Sequence, residues 1–175
     1  MKTDNSSEIF PIVTEDGKVI GSASRYECHS GTKLLHPVVH LHIFNNEGNL
    51  FLQKRPKWKD IQPGKWDTAV GGHVDFGESV EEALLRETFE EVGIHATNYR
   101  FIKKYVFESA IERELVNVFT TINESPQPSD ELDGGRFWTQ KEILENLNCD
   151  VFTPNFEKEY IMLFSENDIN NILMQ

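Results

Sequence analysis

The chain is short of cysteine, short of basic side chains relative to acidic ones, and free of long apolar runs. Its 175 residues contain two cysteines, Cys28 and Cys149, far apart in sequence; that does not suggest a disulfide framework. Seventeen basic residues stand against 29 acidic ones, a net charge of −12. Such a chain repels phosphate backbones at long range, so no non-specific nucleic-acid partner is expected, and any phosphate it binds needs a local cation or a metal. Apolar stretches such as Pro37-Val38-Val39 and Ile161 to Phe164 fall far short of the roughly 20 residues of a spanning helix. Met1 to Glu8 are polar and carry no signal-peptide core. The expectation is a cytoplasmic protein without a membrane partner. What is present is bulk for a core: 12 Phe, 4 Tyr and 3 Trp, in a length that normally buries about 70% of the unfolded chain's surface.

Along the chain, β-like runs dominate the first half. Ile9 to Thr14 leads into the turn Glu15-Asp16-Gly17, and Val38 to Phe44 joins Leu50 to Gln53 through Asn45-Asn46-Glu47-Gly48, both read as hairpins. Ser79 to Val92 changes period. Apolar Val80, Ala83, Leu84, Phe89 and Val92 leave the glutamates to other faces, which predicts a helix. Ser79 followed by Glu82 predicts a capping box, and Gly93 a left-handed C-terminal cap. Tyr99 to Phe107 and Leu115 to Ile122 read as strands, Asn123 to Gly135 as a long loop, and Thr139 to Leu147 and Asn155 to Phe164 as helices. The class is α/β or α+β. The helices after the loop, an extension over about 139–175, are candidates to cover a pocket or a partner subunit, a homodimer being the simplest case.

Chemistry concentrates on the central helix. Glu87, Glu90 and Glu91 stand at i, i+3 and i+4 and project from neighbouring points of one face. Three crowded carboxylates repel one another, and Arg86 alone cannot neutralise them. A solvated acidic face is what most Glu-rich helices present; a divalent cation is the other way to relieve the repulsion, and all-oxygen sites suit Mg²⁺ or Mn²⁺. Just upstream, Gly71-Gly72-His73-Val74-Asp75-Phe76-Gly77-Glu78 delivers backbone amides and another carboxylate toward the same helix.

From Gly72 to Ile94 the chain resembles the Nudix box: Gly72, five residues, Glu78, seven residues, Arg86-Glu87, two residues, Glu90-Glu91, one residue, Gly93 and Ile94. Thr88 departs from the pattern, which prefers a bulky aliphatic there. The resemblance implies a single Nudix domain over 1–175, an α/β/α sandwich with a mixed sheet and a loop-helix-loop at its centre. It also implies Mg²⁺ or Mn²⁺ held by Glu87, Glu90, Glu91 and the Gly72 carbonyl on a small-molecule diphosphate, with water activated for in-line attack. Arg86 would orient a glutamate and Glu78 would buttress the turn.

Leu52-Gln53-Lys54-Arg55 and Pro63-Gly64-Lys65-Trp66-Asp67 make the stretch Ile9 to Phe119 similar to the Nudix subgroup of type 1 isopentenyl diphosphate isomerase. That resemblance implies a second site, His29, His36, His73, Glu112 and Glu114, suited to an additional transition metal. His40 and His42 read instead as packing or hydrogen-bonding residues. The isomerase requires a cysteine two residues before the third histidine, where this chain has Gly71. Hydrolysis of a nucleoside diphosphate derivative or similar organic diphosphate is therefore expected, with Glu112 or Glu114 as candidate general base. An isomerase-like enzyme and a non-catalytic nucleotide-binding Nudix domain are the alternatives. Lys54, Arg55 and Trp66 are candidates to bind substrate phosphate and its organic part.

Overall fold

A computed structural model describes residues 5–59, 62–123 and 125–164. The element order is β1 (Ile9–Val13), β2 (Val19–Ser24), α1 (Arg25–Cys28), β3 (Leu35–Phe44), β4 (Leu50–Lys54), β5 (Trp66–Thr68), β6 (Val70–His73), α2 (Val80–Val92), β7 (Tyr99–Glu108), β8 (Arg113–Ile122), β9 (Gly135–Trp138), α3 (Gln140–Asn146) and α4 (Pro154–Phe164). The part of the expected C-terminal extension beyond Phe164 lies outside the described residues. β1 and β2 form an antiparallel hairpin. The other strands form one mixed sheet with the path β5-β4-β3-β8-β7, β6 pairing with β3 and β9 with β4. The fold is thus mixed α+β, as the alternation of elements predicts. No helix among the described residues is long and apolar enough to cross a membrane.

Strand position explains sequence pattern. β3 and β8 are interior, and nearly every residue of both is buried, polar side chains included: His36 and His42 in β3, and Glu114, Asn117, Thr120 and Thr121 in β8. β7 ends the path, has no fully buried residue and carries Arg100, Lys103 and Lys104, charges that discourage edge-to-edge pairing. Both predicted hairpins form. In the second, the Asn45 side-chain oxygen accepts from the Glu47 amide at 3.1 Å and the Asn49 amide at 2.8 Å, closing the turn locally. α1, β5, β6 and β9 escape the sequence reading, and β2 enters it only as the unbounded second arm of the first hairpin. β6 is half glycine and resembles a loop until its ladder with β3 holds it extended.

The chain divides into two compact units. The first takes in the described residues up to His40 with Gly71–Glu87 and Phe101–Phe119. Phe10, Ile12, Ala23 and Cys28 form one of its apolar clusters, and Val13, Leu35 and Leu115 another. The second takes in Leu41–Val70, Thr88–Arg100 and the described residues from Thr120 on. Its core is an aromatic ladder running from Trp66 through Trp138, Phe152, Phe156 and Tyr160 to Phe164, with successive centroids 5.2–5.7 Å apart. Pro154 opens α4 at a position that needs no amide donor, and Thr153 accepts from the Phe156 amide at 3.2 Å as its cap. His42 meets Glu159 of α4 at 2.6 Å with both side chains fully buried, so His42 is a hydrogen-bonding residue of the interior.

Candidate functional site

α2 begins and ends where the sequence marks it. The Glu82 amide donates to Ser79 Oγ at 3.2 Å and Glu82 accepts from the Ser79 amide at 2.8 Å. Gly93, at φ +66°, donates to the Phe89 carbonyl at 3.0 Å, a left-handed cap that a side chain would strain. The buried stripe is Ala83, Leu84, Thr88 and Val92. Thr88 thus takes an interior place despite its hydroxyl. Phe89, expected on the apolar face, is 51% exposed and stacks on His95 at 4.6 Å, because the 100° step from Thr88 carries it off the stripe.

Arg86 organises the preceding loop. Its Nε and Nη2 donate to the two oxygens of Glu78 at 2.8 Å each, Nη2 also reaches the His73 carbonyl at 3.0 Å, and Nη1 holds Glu87 Oε1 at 2.7 Å. Glu78 further accepts from the Asp75 amide at 3.0 Å, which is the turn-buttressing contact. Burial alone would raise the Glu78 carboxyl pKa, but the Arg86 fork and the Asp75 amide outweigh it and hold it below the ordinary value. The Glu78 hydrogen bond is likewise the main reason Arg86 is held still more firmly protonated. Glu87 lies against Gly72: a Cβ there would fall 2.0 Å from the Glu87 carboxyl carbon. Glycine at 72 is a steric requirement of this carboxylate's position. Glu87 and Glu91 are half-buried and Glu90 is exposed.

The five residues of the expected second site come together within the first unit. His29, His36 and His73 each offer a nitrogen within 4.8 Å of the others. His29 Nε2 and His73 Nε2 are 3.1 Å apart, Glu112 lies 3.6 Å from His29 Nδ1, and Glu114 4.0 Å from His73 Nε2. His36 is fully buried. Its Nδ1 sits 3.0 Å from the Leu34 carbonyl and must carry the proton, which leaves a lone pair on Nε2 that is buried without a partner. A buried orphan lone pair is costly, and a cation among the three rings would relieve it. Burial, then the nearby Arg25 charge and the other imidazoles, lower the His73 pKa well below the usual histidine value; burial also lowers that of His36. Both are neutral near pH 7, the form that ligates metals. Phe10, whose ring stacks on His73 at 4.3 Å and 3°, and Arg25, whose charge acts on His73, stand beside these histidines with no motif to reveal them.

In the second unit, β4 splits the remaining candidates by strand alternation. Gln53 donates to Glu91 Oε2 at 3.2 Å. Lys54, its neighbour, belongs to the other face of the sheet and pairs with Trp66, Nζ lying 5.6 Å from that ring, with Arg136 5.7 Å from the same ring. Arg55 meets Asp67 at 3.2 Å, and Asp67 pairs directly with Gln53. Arg55 is therefore grouped with the Gln53 face, and Lys54 and Trp66 are not.

Residues 34–158 match the NUDIX domain. The chain belongs to this family. An uncharacterised Nudix hydrolase of Yersinia pestis is 30% identical over 92% of this chain and 88% of its own. An isopentenyl-diphosphate Delta-isomerase of Mycolicibacterium vanbaalenii is 27% identical over 68% of this chain and 69% of its own. Among solved structures, a protein of Deinococcus radiodurans superposes with a TM-score of 0.78 at 23% identity, covering 90% of this chain and 99% of that one, a likeness of fold. Within this Nudix chain, the space at Gly71 bears on the isomerase comparison. A Cβ there would meet the His40 ring at 3.6 Å, an ordinary contact, so the backbone at 71 does not itself exclude a side chain. Cys28, remote from this loop in sequence, packs in the Phe10 cluster, but burial pushes its thiol up to about 11, which keeps it protonated and unreactive.

Proposed function

We propose that the chain is a divalent-cation-dependent Nudix pyrophosphohydrolase acting on a nucleoside diphosphate derivative or similar small organic diphosphate. The enzyme class rests on the family and on its Nudix hydrolase relatives. The single observation that carries the cation requirement is the seating of Glu87 against Gly72, beside two further carboxylates one turn on, more negative charge than Arg86 can offset.

Glu87, Glu90, Glu91 and the Gly72 carbonyl would hold Mg²⁺ or Mn²⁺. Cations bound there supply charge neutralisation of the diphosphate and acidify the attacking water. Arg86, clamped by Glu78, fixes Glu87. Arg55 binds substrate phosphate on the Gln53 face, and Glu112 or Glu114 takes the proton from water. His29, His36 and His73, with the same two glutamates, suit a transition metal, and the orphaned His36 Nε2 supports that fit. The assembled histidines and the isomerase relatives favour isomerisation as the second reading; Gly71 leaves it without its acid.

Assaying a panel of diphosphates with Mg²⁺ or Mn²⁺ for monophosphate release tests the first reading, and deuterium incorporation into isopentenyl diphosphate tests the second. Glu90→Gln and Glu91→Gln are each expected to lower kcat by about 100-fold or more at unchanged folding stability. Near-normal turnover in both would overturn the cation assignment.

A further inference from the structure

We infer that Gln53 is a positioning residue for the cation site, fixing the carboxylate of Glu91 in the orientation that binds the ion. This deepens the reading of Glu87, Glu90 and Glu91 as the cation site and rests on it. Gln53 is 6% exposed, an unusual burial for an amide side chain, and sits on β4 opposite Asp67 and Gly135. Its Nε2 faces two acceptors, Glu91 Oε2 at 3.2 Å and the Ala69 carbonyl at 3.4 Å. Neither can donate, so the amide must present its NH₂ and cannot flip. The main chain of Glu91 is pinned separately, its carbonyl accepting from the Ser129 amide at 2.8 Å.

Side chain and main chain are thus held from two directions. Repulsion from Glu87 and Glu90 drives the Glu91 carboxylate to swing away whenever the ion leaves. A neutral donor opposes that swing without competing for the cation, which Lys or Arg in its place would do. Residues that orient ligands in this way typically contribute about 10-fold or more to metal affinity.

The test is Mn²⁺ titration of the full chain, followed by electron paramagnetic resonance of the free ion, with His36→Gln and His73→Gln in every protein to silence the histidine site, for the chain otherwise wild type, Gln53→Met, Glu91→Gln and the double variant. Gln53→Met keeps the volume and removes the donor. It is expected to weaken Mn²⁺ binding about 10-fold and to add nothing in the Glu91→Gln background, since the carboxylate it orients is gone. Gln53→Ser, which admits a mobile water instead, is expected to do the same and serves if the methionine variant does not fold. Wild-type affinity in the folded Gln53 variants, or the same loss with and without Glu91→Gln, overturns the role of Gln53 alone. Wild-type affinity in Glu91→Gln itself overturns the cation reading beneath it.

Discussion

Replacing Gly72 with alanine is expected to separate activity from stability. The added Cβ would stand 2.0 Å from Glu87 Cδ and 2.3 Å from Cγ and Oε1. To reach 3.4 Å, the near edge of ordinary contact, the carboxylate must retreat by roughly 1.4 Å. Arg86 cannot follow it, because two of its nitrogens are committed to Glu78 and one of those also to the His73 carbonyl. The 2.7 Å bond from Arg86 to Glu87 is lost, and Glu87 leaves its place in the acidic ridge. A misplacement on the order of 1 Å at a reacting site costs about 100-fold in rate, or about 2.7 kcal/mol in the barrier. Stability moves much less. The obstructing group is the end of a side chain with room to rotate, and glycine-to-alanine substitution returns about 0.4–1 kcal/mol of unfolded-state entropy where the backbone allows it. Steady-state release of monophosphate at saturating Mn²⁺, paired with thermal denaturation, measures both. A Gly72→Ala protein with kcat within about threefold of wild type and an unchanged midpoint would refute the reasoning from Glu87 to catalysis.

Two further outcomes follow from the same geometry. Zn²⁺ or Mn²⁺ at about 100 times its dissociation constant should stabilise the protein by about 2.7 kcal/mol through the histidine site, and the rise in Tm should shrink in His36→Gln or His73→Gln; an equal rise in all three proteins would count against that site. Stability should fall on acidification below about pH 4.5, because hydrogen bonds lower the carboxyl pKa of Glu27 (mainly from Ser24), Glu82 (from the Ser79 amide) and Glu142 (from the Thr139 amide) beneath that ordinary value. A depressed folded pKa stabilises above the unfolded value and loses its contribution as pH falls through the folded one. Replacing all three with Gln should flatten the Tm-against-pH curve in that range, and a curve as steep as wild type would show that these caps are not its source.

Much of the fold and the acidic ridge was legible because local rules govern them. The i, i+3, i+4 spacing of Glu87, Glu90 and Glu91 places them on one face wherever the helix packs, and the Ser79–Glu82 box and Gly93 cap are complete within a single stretch of chain. The box pattern carried the family, and the β-like runs Val38 to Phe44 and Leu115 to Ile122 marked most of β3 and β8 as strands. The short strands β5, β6 and β9 were hidden because their extended state comes from partners far along the chain: Leu50 faces Trp138 and Gln53 faces Asp67 and Gly135.

Residue type and local spacing set charge, ligand hardness and helix face, so which side chains could do the chemistry was already written along the chain. Tertiary structure alone decided which of them meet. It brought His29 within 3.1 Å of His73, left the His36 lone pair buried without a partner, stacked Phe10 on His73, and turned Gln53 toward Glu91 while Lys54 joined Trp66. The physical reason is that strand register and side-chain burial depend on the whole sheet: a shift of one residue along β4 would exchange Gln53 and Lys54 between its two faces.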